Sequence, residues 1–245
     1  MKTNKRLSTL SLALGVMFAG SVVAQEVLPF PPTPSASKAG LTIEQSTYKK
    51  RVDPKRLEQG APNILIILMD DLGPATASTY GGEINTPTLD RVANAGVSYN
   101  RFHTTAMSSP TRASLLTGRN HHTGNTSSIM ETATAFPGAT GKRPESVAPL
   151  AMTLRYNGYS TAHFGKNHET AAWETSPSGP TDRWPTRSGF DKFYGFMGGE
   201  TNQWAPAIYD GMTKIEVPAD PNYHFMTDMT NQSIKWVRSE KSLTP

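Results

Sequence analysis

The 245-residue sequence contains no cysteine and only one long apolar segment. Without cysteine there can be no disulfide framework, thiolate metal site or cysteine nucleophile. The long apolar stretch is residues 7–23, and no later run approaches the length needed to span a membrane. The remaining length suffices for one α/β domain, whose core must form by ordinary packing.

The first 24 residues have the pattern of a secretory signal peptide. Lys2, Lys5 and Arg6 precede the apolar run, which ends in small residues at Ala24. We therefore expect cleavage after Ala24, export to the periplasm or the medium, and no membrane attachment afterwards. Removing this segment lowers the number of basic side chains from 24 to 21, against 20 acidic ones. No basic cluster remains that would indicate a nucleic-acid partner.

Residues 25–60 are rich in proline and polar side chains and predict an extended leader along the surface. The run of aliphatic residues at 63–69 follows, and its continuous apolar character predicts a buried central strand of a parallel sheet. This run ends in Asp70 and Asp71, where open α/β sheets place their ligands. The local chemistry leaves two interpretations open: a site for a hard cation such as Ca²⁺ or Mg²⁺, or a solvated turn.

Residues 108–119 predict a loop that turns into a helix. Ser109 is suited to the N-cap, Pro110 to the first helical position and Gly118 to the end. Ser108 would then lie at an anion-favouring helix N-terminus, with Arg112 in the first turn. A hydroxyl, a guanidinium and a helix end together suit attack on a sulfate or phosphate ester, although an ordinary capped helix has the same short pattern.

Further helices are predicted at residues 87–95, 146–157 and 226–240, and further strands at 97–102 and 159–164. The apolar spacing predicts a buried side formed by Leu150, Leu154 and Tyr156 in the second of these helices, and by Ile234, Trp236 and Val237 in the third. The last of these strands is followed by Lys166 and His168, again at a strand's carboxyl end. Aromatic residues are concentrated between positions 184 and 204, and most of them are expected in the core. The alternation predicts an α/β fold with a mostly parallel sheet sandwiched by helices.

The segment from Ser108 to Arg119 resembles the signature of the sulfatase family: Ser-x-Pro-x-Arg followed by Leu-Thr-Gly-Arg. The resemblance implies an alkaline phosphatase-like fold and oxidation of Ser108 to Cα-formylglycine by a serine-type maturation enzyme. It also implies a divalent cation, Ca²⁺ or else Mg²⁺, bound by Asp70, Asp71 and the side chain at position 108. Catalytic roles would fall to Ser108, Arg112, Lys166 and His168.

The resemblance spans residues 61–245 and corresponds to the N-terminal portion of the family's catalytic domain. The family's second active-site histidine, Asp-Asn pair and second lysine have no counterpart here, so we expect an incomplete fold, weak metal binding and slow turnover. The expected reaction is hydrolysis of an aryl or carbohydrate sulfate ester by the formylglycine hydrate. The alternatives are a phosphodiester or phosphonate hydrolase of the same superfamily, or an inactive fragment that acts as a binding domain.

Overall fold

The computed structural model describes residues 30 and 32–243, so the predicted signal peptide lies outside the described residues. Within this described part, no helix combines the length and apolarity needed to cross a membrane. The described residues fall into two compact units, one ending at Asp53 and the other beginning at Pro54. In the first unit, Lys38 and Thr47 form an antiparallel bridge through backbone hydrogen bonds of 2.9 and 2.8 Å. The second unit contains every helix and strand described below.

The second unit combines helices with one mixed sheet. The α-helices are α1 (Pro87–Ala95), α2 (Ser108–Thr117), α3 (Leu150–Tyr156) and α4 (Phe225–Leu243). The strands are β1 (Ala162–Lys166), β2 (Lys192–Phe196), β3 (Ile208–Asp210) and β4 (Thr213–Ile215). The sheet order is β1-β2-β3-β4, with β1 parallel to β2 and the other two pairs antiparallel. The α/β class predicted from the sequence is confirmed, but the described sheet is mixed and not mostly parallel, because β3 and β4 are short strands added in antiparallel pairing.

Strand β2 is buried on both faces, which places the core on both sides of the sheet. Successive side chains of a strand point to opposite faces. Phe193 packs with Trp184 and Met197, whereas Tyr194 and Phe196 belong to a second cluster that includes residues of α4 and β3. The prediction that most rings between residues 184 and 204 are core residues therefore holds, although Trp204 is exposed.

Strands β1 and β2 approach each other at a pair of glycines. Gly165 and Gly195 are partners in the parallel register, and a Cβ atom on Gly195 would lie 1.9 Å from the Gly165 carbonyl oxygen. Because no side chain fits in that space, glycine at position 195 is required for the strands to pair as they do. This pairing fixes the carboxyl end of β1.

The proline and glycine signals around the first two helices predict their ends well. Helix α1 has the predicted bounds, with Thr86 before it and Gly96 after it. Helix α2 ends at Gly118, whose φ of 63° is left-handed, as expected of a C-terminal glycine. Its start differs from the prediction by one residue. Met107 is the N-cap, so Ser108 is the first helical residue, and the Ser109 hydroxyl accepts a hydrogen bond from Met130 N–H instead of capping.

Two predictions of buried helix faces are wrong. Helix α3 begins at Leu150 and not at residue 146, and Ala151 is its buried residue. In α4 the buried residue is Phe225, whereas Ile234 and Val237 are exposed. Helix α4 contacts β1 and β2 through its N-terminal half and through Trp236, which meets Phe164. An apolar face predicted from periodicity is buried only where another element covers it.

Two predicted strands do not form. Residues 63–69 and 97–102 make no strand pairing with the described residues, and most of their large apolar side chains are exposed. Leu65, for example, is 84% exposed. A continuous aliphatic run indicates a strand only if neighbouring strands bind it on both sides. The described sheet offers no such pair of neighbours to either segment.

Candidate active site

Ser108 and Arg112 lie one helical turn apart at the start of α2. The Arg112 Nε–H donates to Ser108 Oγ over 3.0 Å. Arg112 is buried, with 8% of its surface exposed, and Ser109 and Pro110 beside it are fully buried. Positions i and i+4 of a helix share one face, so the helix itself places the guanidinium over the hydroxyl. The buried neighbours hold this N-terminal turn against the rest of the unit.

The carboxyl end of β1 brings Lys166 and His168 to the same place. Backbone hydrogen bonds from Asn167 N to Phe196 O and from His168 N to Met197 O continue the parallel pairing beyond the strand. His168 has a φ of 52°, a left-handed conformation that non-glycine residues rarely adopt. Its Nδ1 lies 3.0 Å from Ser108 Oγ. Such strain persists where surrounding contacts hold it, and it is common at functional sites.

Asp70 connects the two halves of the cluster. Its two carboxylate oxygens accept hydrogen bonds from Arg112 Nη2 over 3.2 Å and from Lys166 Nζ over 2.6 Å. Partial burial acts to raise the pKa of Asp70, but the hydrogen bonds and charges of Lys166 and Arg112 outweigh it. The pKa of Asp70 therefore lies below its usual range. The pairing also compensates the burial of the Lys166 side chain, which is 11% exposed.

Glu131 joins the cluster without having been predicted. Its Oε2 lies 2.8 Å from His168 Nε2, on the opposite side of the ring from Ser108. Partial burial acts to raise the pKa of Glu131, but its hydrogen bonds with His168 and with the backbone, and the charge of Lys166, leave it below the usual range. Glu131 lies in a short 3₁₀ helix, Met130–Thr132, within an irregular segment. No periodic or spacing signal in the sequence marks it.

Two further titratable residues adjoin the site. His163 Nε2–H donates to the carbonyl of Lys166 over 3.1 Å, and that carbonyl also accepts from Arg112 Nη1 over 3.2 Å. Burial lowers the pKa of His163 to about 4. Burial raises the pKa of Glu169 to about 7, although the charges of Arg143 and Arg112 act in the opposite direction. Sequence reasoning missed both, because neither burial nor this carbonyl contact follows from residue spacing.

The structure gathers Asp70, Ser108, Arg112, Lys166 and His168 into one hydrogen-bonded cluster. The side chain of Asp71, by contrast, is exposed and makes no hydrogen bond or ion pair with the described residues. Its φ of 53° is left-handed.

The side chains around Ser108 supply oxygen donors for a divalent cation. The carboxylates of Asp70 and Asp71 and the hydroxyl of Ser108 are hard oxygen donors of the kind Ca²⁺ and Mg²⁺ prefer. They are too few for the roughly six oxygen ligands that Ca²⁺ takes. Across residues 32–243, no three acidic or histidine side chains cluster in a way that could hold a metal ion. The residues present thus fit part of a cation site.

Comparison with known proteins identifies the family. The family model described as Sulfatase matches residues 62–244. The chain belongs to the sulfatase family. An uncharacterized sulfatase of Schizosaccharomyces pombe is 36% identical over 174 residues, which is 68% of this chain and 29% of that protein. An arylsulfatase of Klebsiella aerogenes is 31% identical over 153 residues, covering 62% of this chain and 31% of the relative.

The fold comparison agrees with this assignment. The crystal structure of the PsFucS1 sulfatase from Pseudoalteromonas sp. superposes with a TM-score of 0.53 at 21% identity, covering 71% of this chain and 40% of that one. The resemblance to an alkaline phosphatase-like sulfatase fold is confirmed. Sulfatases generally use a formylglycine and a divalent cation. The present sulfatase chain spans about 30% of the length of the curated relatives it matches, 29% and 31% for the two above.

Proposed function

We propose that this chain carries the nucleophile-bearing part of a sulfate ester hydrolase, with Ser108 as the site of formylglycine formation. The observation that carries the proposal is the position of Ser108 Oγ, which lies 3.0 Å from both Arg112 Nε and His168 Nδ1. A hydroxyl between a fixed cation and a potential base is suited to activation as a nucleophile. Its location in a chain of the sulfatase family supports sulfate as the group transferred.

The charges of the cluster suit an anionic substrate. Arg112 and Lys166 contribute two positive charges, and Asp70 neutralises one of them while holding both side chains in place. The N-terminus of α2 adds the partial positive charge of its free backbone N–H groups. We infer that Lys166 opposes the charge that builds on the transferring group, and that Arg112 stabilises negative charge on the oxygen at position 108.

Proton transfer at the site would fall to His168. Its Nδ1 is within hydrogen-bond distance of Ser108 Oγ and can accept a proton from a hydroxyl at that position. Because His168 is 4% exposed, bulk water does not compete for this contact. The same residue lies beside the space above the helix N-terminus, where the leaving oxygen of an ester would require a proton.

Two groups beyond the encoded side chains belong to the proposal. A formylglycine made from Ser108 by a serine-type maturation enzyme would supply the nucleophilic oxygen. A divalent cation, Ca²⁺ in preference to Mg²⁺, would be held by Asp70, Asp71 and the side chain at position 108, and would offset the charge of the sulfate. The substrate would be a small aryl or carbohydrate sulfate ester, met in the periplasm or outside the cell after cleavage at Ala24.

The proposal is tested by comparing two esters on the chain purified from a host that contains a serine-type maturation enzyme. With Ca²⁺ present, we expect slow release of 4-nitrophenol from 4-nitrophenyl sulfate. We expect Ser108→Ala to reduce this rate roughly a thousandfold or more, because the nucleophile is lost. The matched control is Ser146→Ala, at an exposed serine that makes no described side-chain contact.

Two results would contradict the proposal. One is faster hydrolysis of bis(4-nitrophenyl) phosphate than of the sulfate ester, which would favour a phosphodiester hydrolase. The other is sulfate ester hydrolysis that survives in Ser108→Ala, which would place the nucleophile elsewhere.

A further inference from the structure

We propose that Glu131 is a positioning residue that fixes the tautomer and orientation of His168, so that Nδ1 presents a lone pair to the oxygen of residue 108. The geometry is a chain of three groups. Ser108 Oγ lies 3.0 Å from His168 Nδ1, and His168 Nε2 lies 2.8 Å from Glu131 Oε2. Glu131 lies outside the family signature. Its contribution to catalysis rests on the proposed function, because it acts through His168 on the residue at position 108.

The hydrogen-bond donors and acceptors determine where the protons of His168 and Ser108 lie. An ionised carboxylate only accepts hydrogen bonds, so the contact with Glu131 requires a proton on His168 Nε2. In a neutral imidazole the other nitrogen is then an acceptor. Ser108 Oγ already accepts from Arg112 Nε–H, which leaves the Ser108 hydroxyl proton free to point at His168 Nδ1. The directions of the three hydrogen bonds are therefore mutually consistent.

Glu131 is suited to remain ionised in this role. Its side chain is 46% exposed, whereas the His168 side chain is 5% exposed. The carboxylate thus keeps much of its hydration while it contacts a ring that is almost completely buried. Lys166 adds a positive charge nearby that favours the ionised form.

The position of Glu131 is anchored to the nucleophile helix. Met130, the preceding residue, is 3% exposed, and its backbone N–H donates to Ser109 Oγ over 3.3 Å. Ser109 directly follows Ser108 in α2. The Ser109 hydroxyl therefore links the backbone next to Glu131 to the backbone next to Ser108. This link holds Glu131 and Ser108 in a fixed relative position on either side of His168.

The backbone of Gly199 forms one wall of the space that holds the pair. A Cβ atom on Gly199 would lie 3.0 Å from His168 Cε1, 3.1 Å from His168 Nε2 and 3.6 Å from Glu131 Oε1. The imidazole and the carboxylate are thus packed directly against a residue without a side chain. A ring restrained by the left-handed backbone of His168, by Gly199 and by Glu131 has little freedom to flip.

The tautomer is measured by ¹⁵N–¹H correlation NMR of the imidazole rings in the purified 245-residue chain, at about pH 8, above the ordinary imidazole pKa. We expect His168 to favour the Nε2–H tautomer by about tenfold or more, the preference that a hydrogen bond to a charged group provides. In Glu131→Leu we expect this preference to fall at least several-fold, and in Glu131→Asp to be partly restored. Glu145→Leu, at an exposed glutamate of the same segment, is the matched control.

The tautomer measurement needs neither formylglycine nor catalytic activity. The proposed role of Glu131 can therefore be wrong while the proposed function is right, and the proposed function can be wrong while the role of Glu131 is right. An Nδ1–H tautomer or a doubly protonated ring in the unsubstituted chain would overturn the proposal, even if the Glu131 variants did not fold. An unchanged Nε2–H preference in Glu131→Leu would overturn it as well. The resonances of the other five histidines report whether each variant keeps the fold.

Discussion

At the scale of single residues, His163 couples the site to pH. Its ring lies against Phe190 and Phe193, and its Nδ1 is buried without a hydrogen-bond partner among the described residues. Burial therefore favours the neutral ring and lowers the pKa of His163 to about 4, and the charge of Arg112 acts in the same direction. Protonation would place an unpartnered charge directly behind the carbonyl that Arg112 contacts.

The free energy of unfolding should consequently fall in mild acid. Between pH 6.5 and about 4 the unfolded chain binds a proton at His163 that the folded chain does not, so stability rises with pH across this window and levels off above it. The contribution is on the order of 3 kcal/mol. Urea unfolding at several pH values should show a shallower dependence in His163→Phe, which cannot titrate.

The matched control is His103→Phe, at an exposed histidine. This variant reports the effect of introducing phenylalanine at a histidine position. A pH dependence of stability that is the same in His163→Phe and in the unsubstituted chain would contradict the account.

The residues of the candidate site differ in how far the sequence predicts them. The sequence predicts Ser108 and Arg112 from a helix start that proline and glycine mark, whereas Lys166 follows from a strand end together with the resemblance to sulfatases. Glu131 was not predicted, because its position depends on the Ser109–Met130 hydrogen bond across an irregular segment. Contacts of that kind depend on tertiary packing, which leaves no periodic trace.

At the scale of elements, the pairing of β1 with β2 controls where Lys166 and His168 lie. Gly195→Ala would bring a methyl group against the Gly165 carbonyl, so the two strands would have to separate. We expect a loss of roughly 2–4 kcal/mol in the free energy of unfolding, measured by urea denaturation followed by tryptophan fluorescence.

Gly198→Ala supplies the control for this variant. A Cβ atom at position 198 meets nothing within 4 Å, three residues beyond Gly195. Its effect should stay within about 0.5 kcal/mol. Equal losses in the two variants would show that the close approach of the strands is not what makes glycine necessary at position 195.

The helices illustrate what sequence patterns can and cannot determine. Helix α1 was predicted with its observed bounds because Pro87 and Gly96 act through local backbone geometry. The buried face of α4 was predicted incorrectly because burial depends on what covers the helix. Residues 63–69 follow the same rule: their apolarity is evident from the sequence, but strand pairing requires partners that the described sheet does not offer.

At the scale of the whole molecule, segments 63–69 and 97–102 expose most of their large apolar side chains. Exposed apolar side chains of this kind favour association with other apolar surfaces. We expect Leu65→Ser to reduce self-association, measured by light scattering, because Leu65 is 84% exposed. The free energy of unfolding should change by no more than about 0.5 kcal/mol. A loss of several kcal/mol would show that Leu65 is buried in the folded protein.

Localisation and maturation are also properties of the whole molecule. We propose that the chain is exported after cleavage at Ala24 and that its serine is oxidised by a dedicated enzyme. The 245-residue sequence has no cysteine, so a formylglycine within it can come only from a serine. The match to the Sulfatase family covers residues 62–244 and includes the signature serine at position 108. Ser108 is therefore the serine that we expect to be oxidised.

The mass of the tryptic peptide spanning residues 102–112 tests the central claim most directly. The chain should be produced in a host that contains a serine-type maturation enzyme, and fragment ions should distinguish Ser108 from Ser109. The account predicts a peptide two hydrogen atoms lighter than its sequence, with the loss at Ser108 and none in Ser108→Ala. An unmodified serine at position 108 in that host would contradict the claim that this residue becomes the nucleophile.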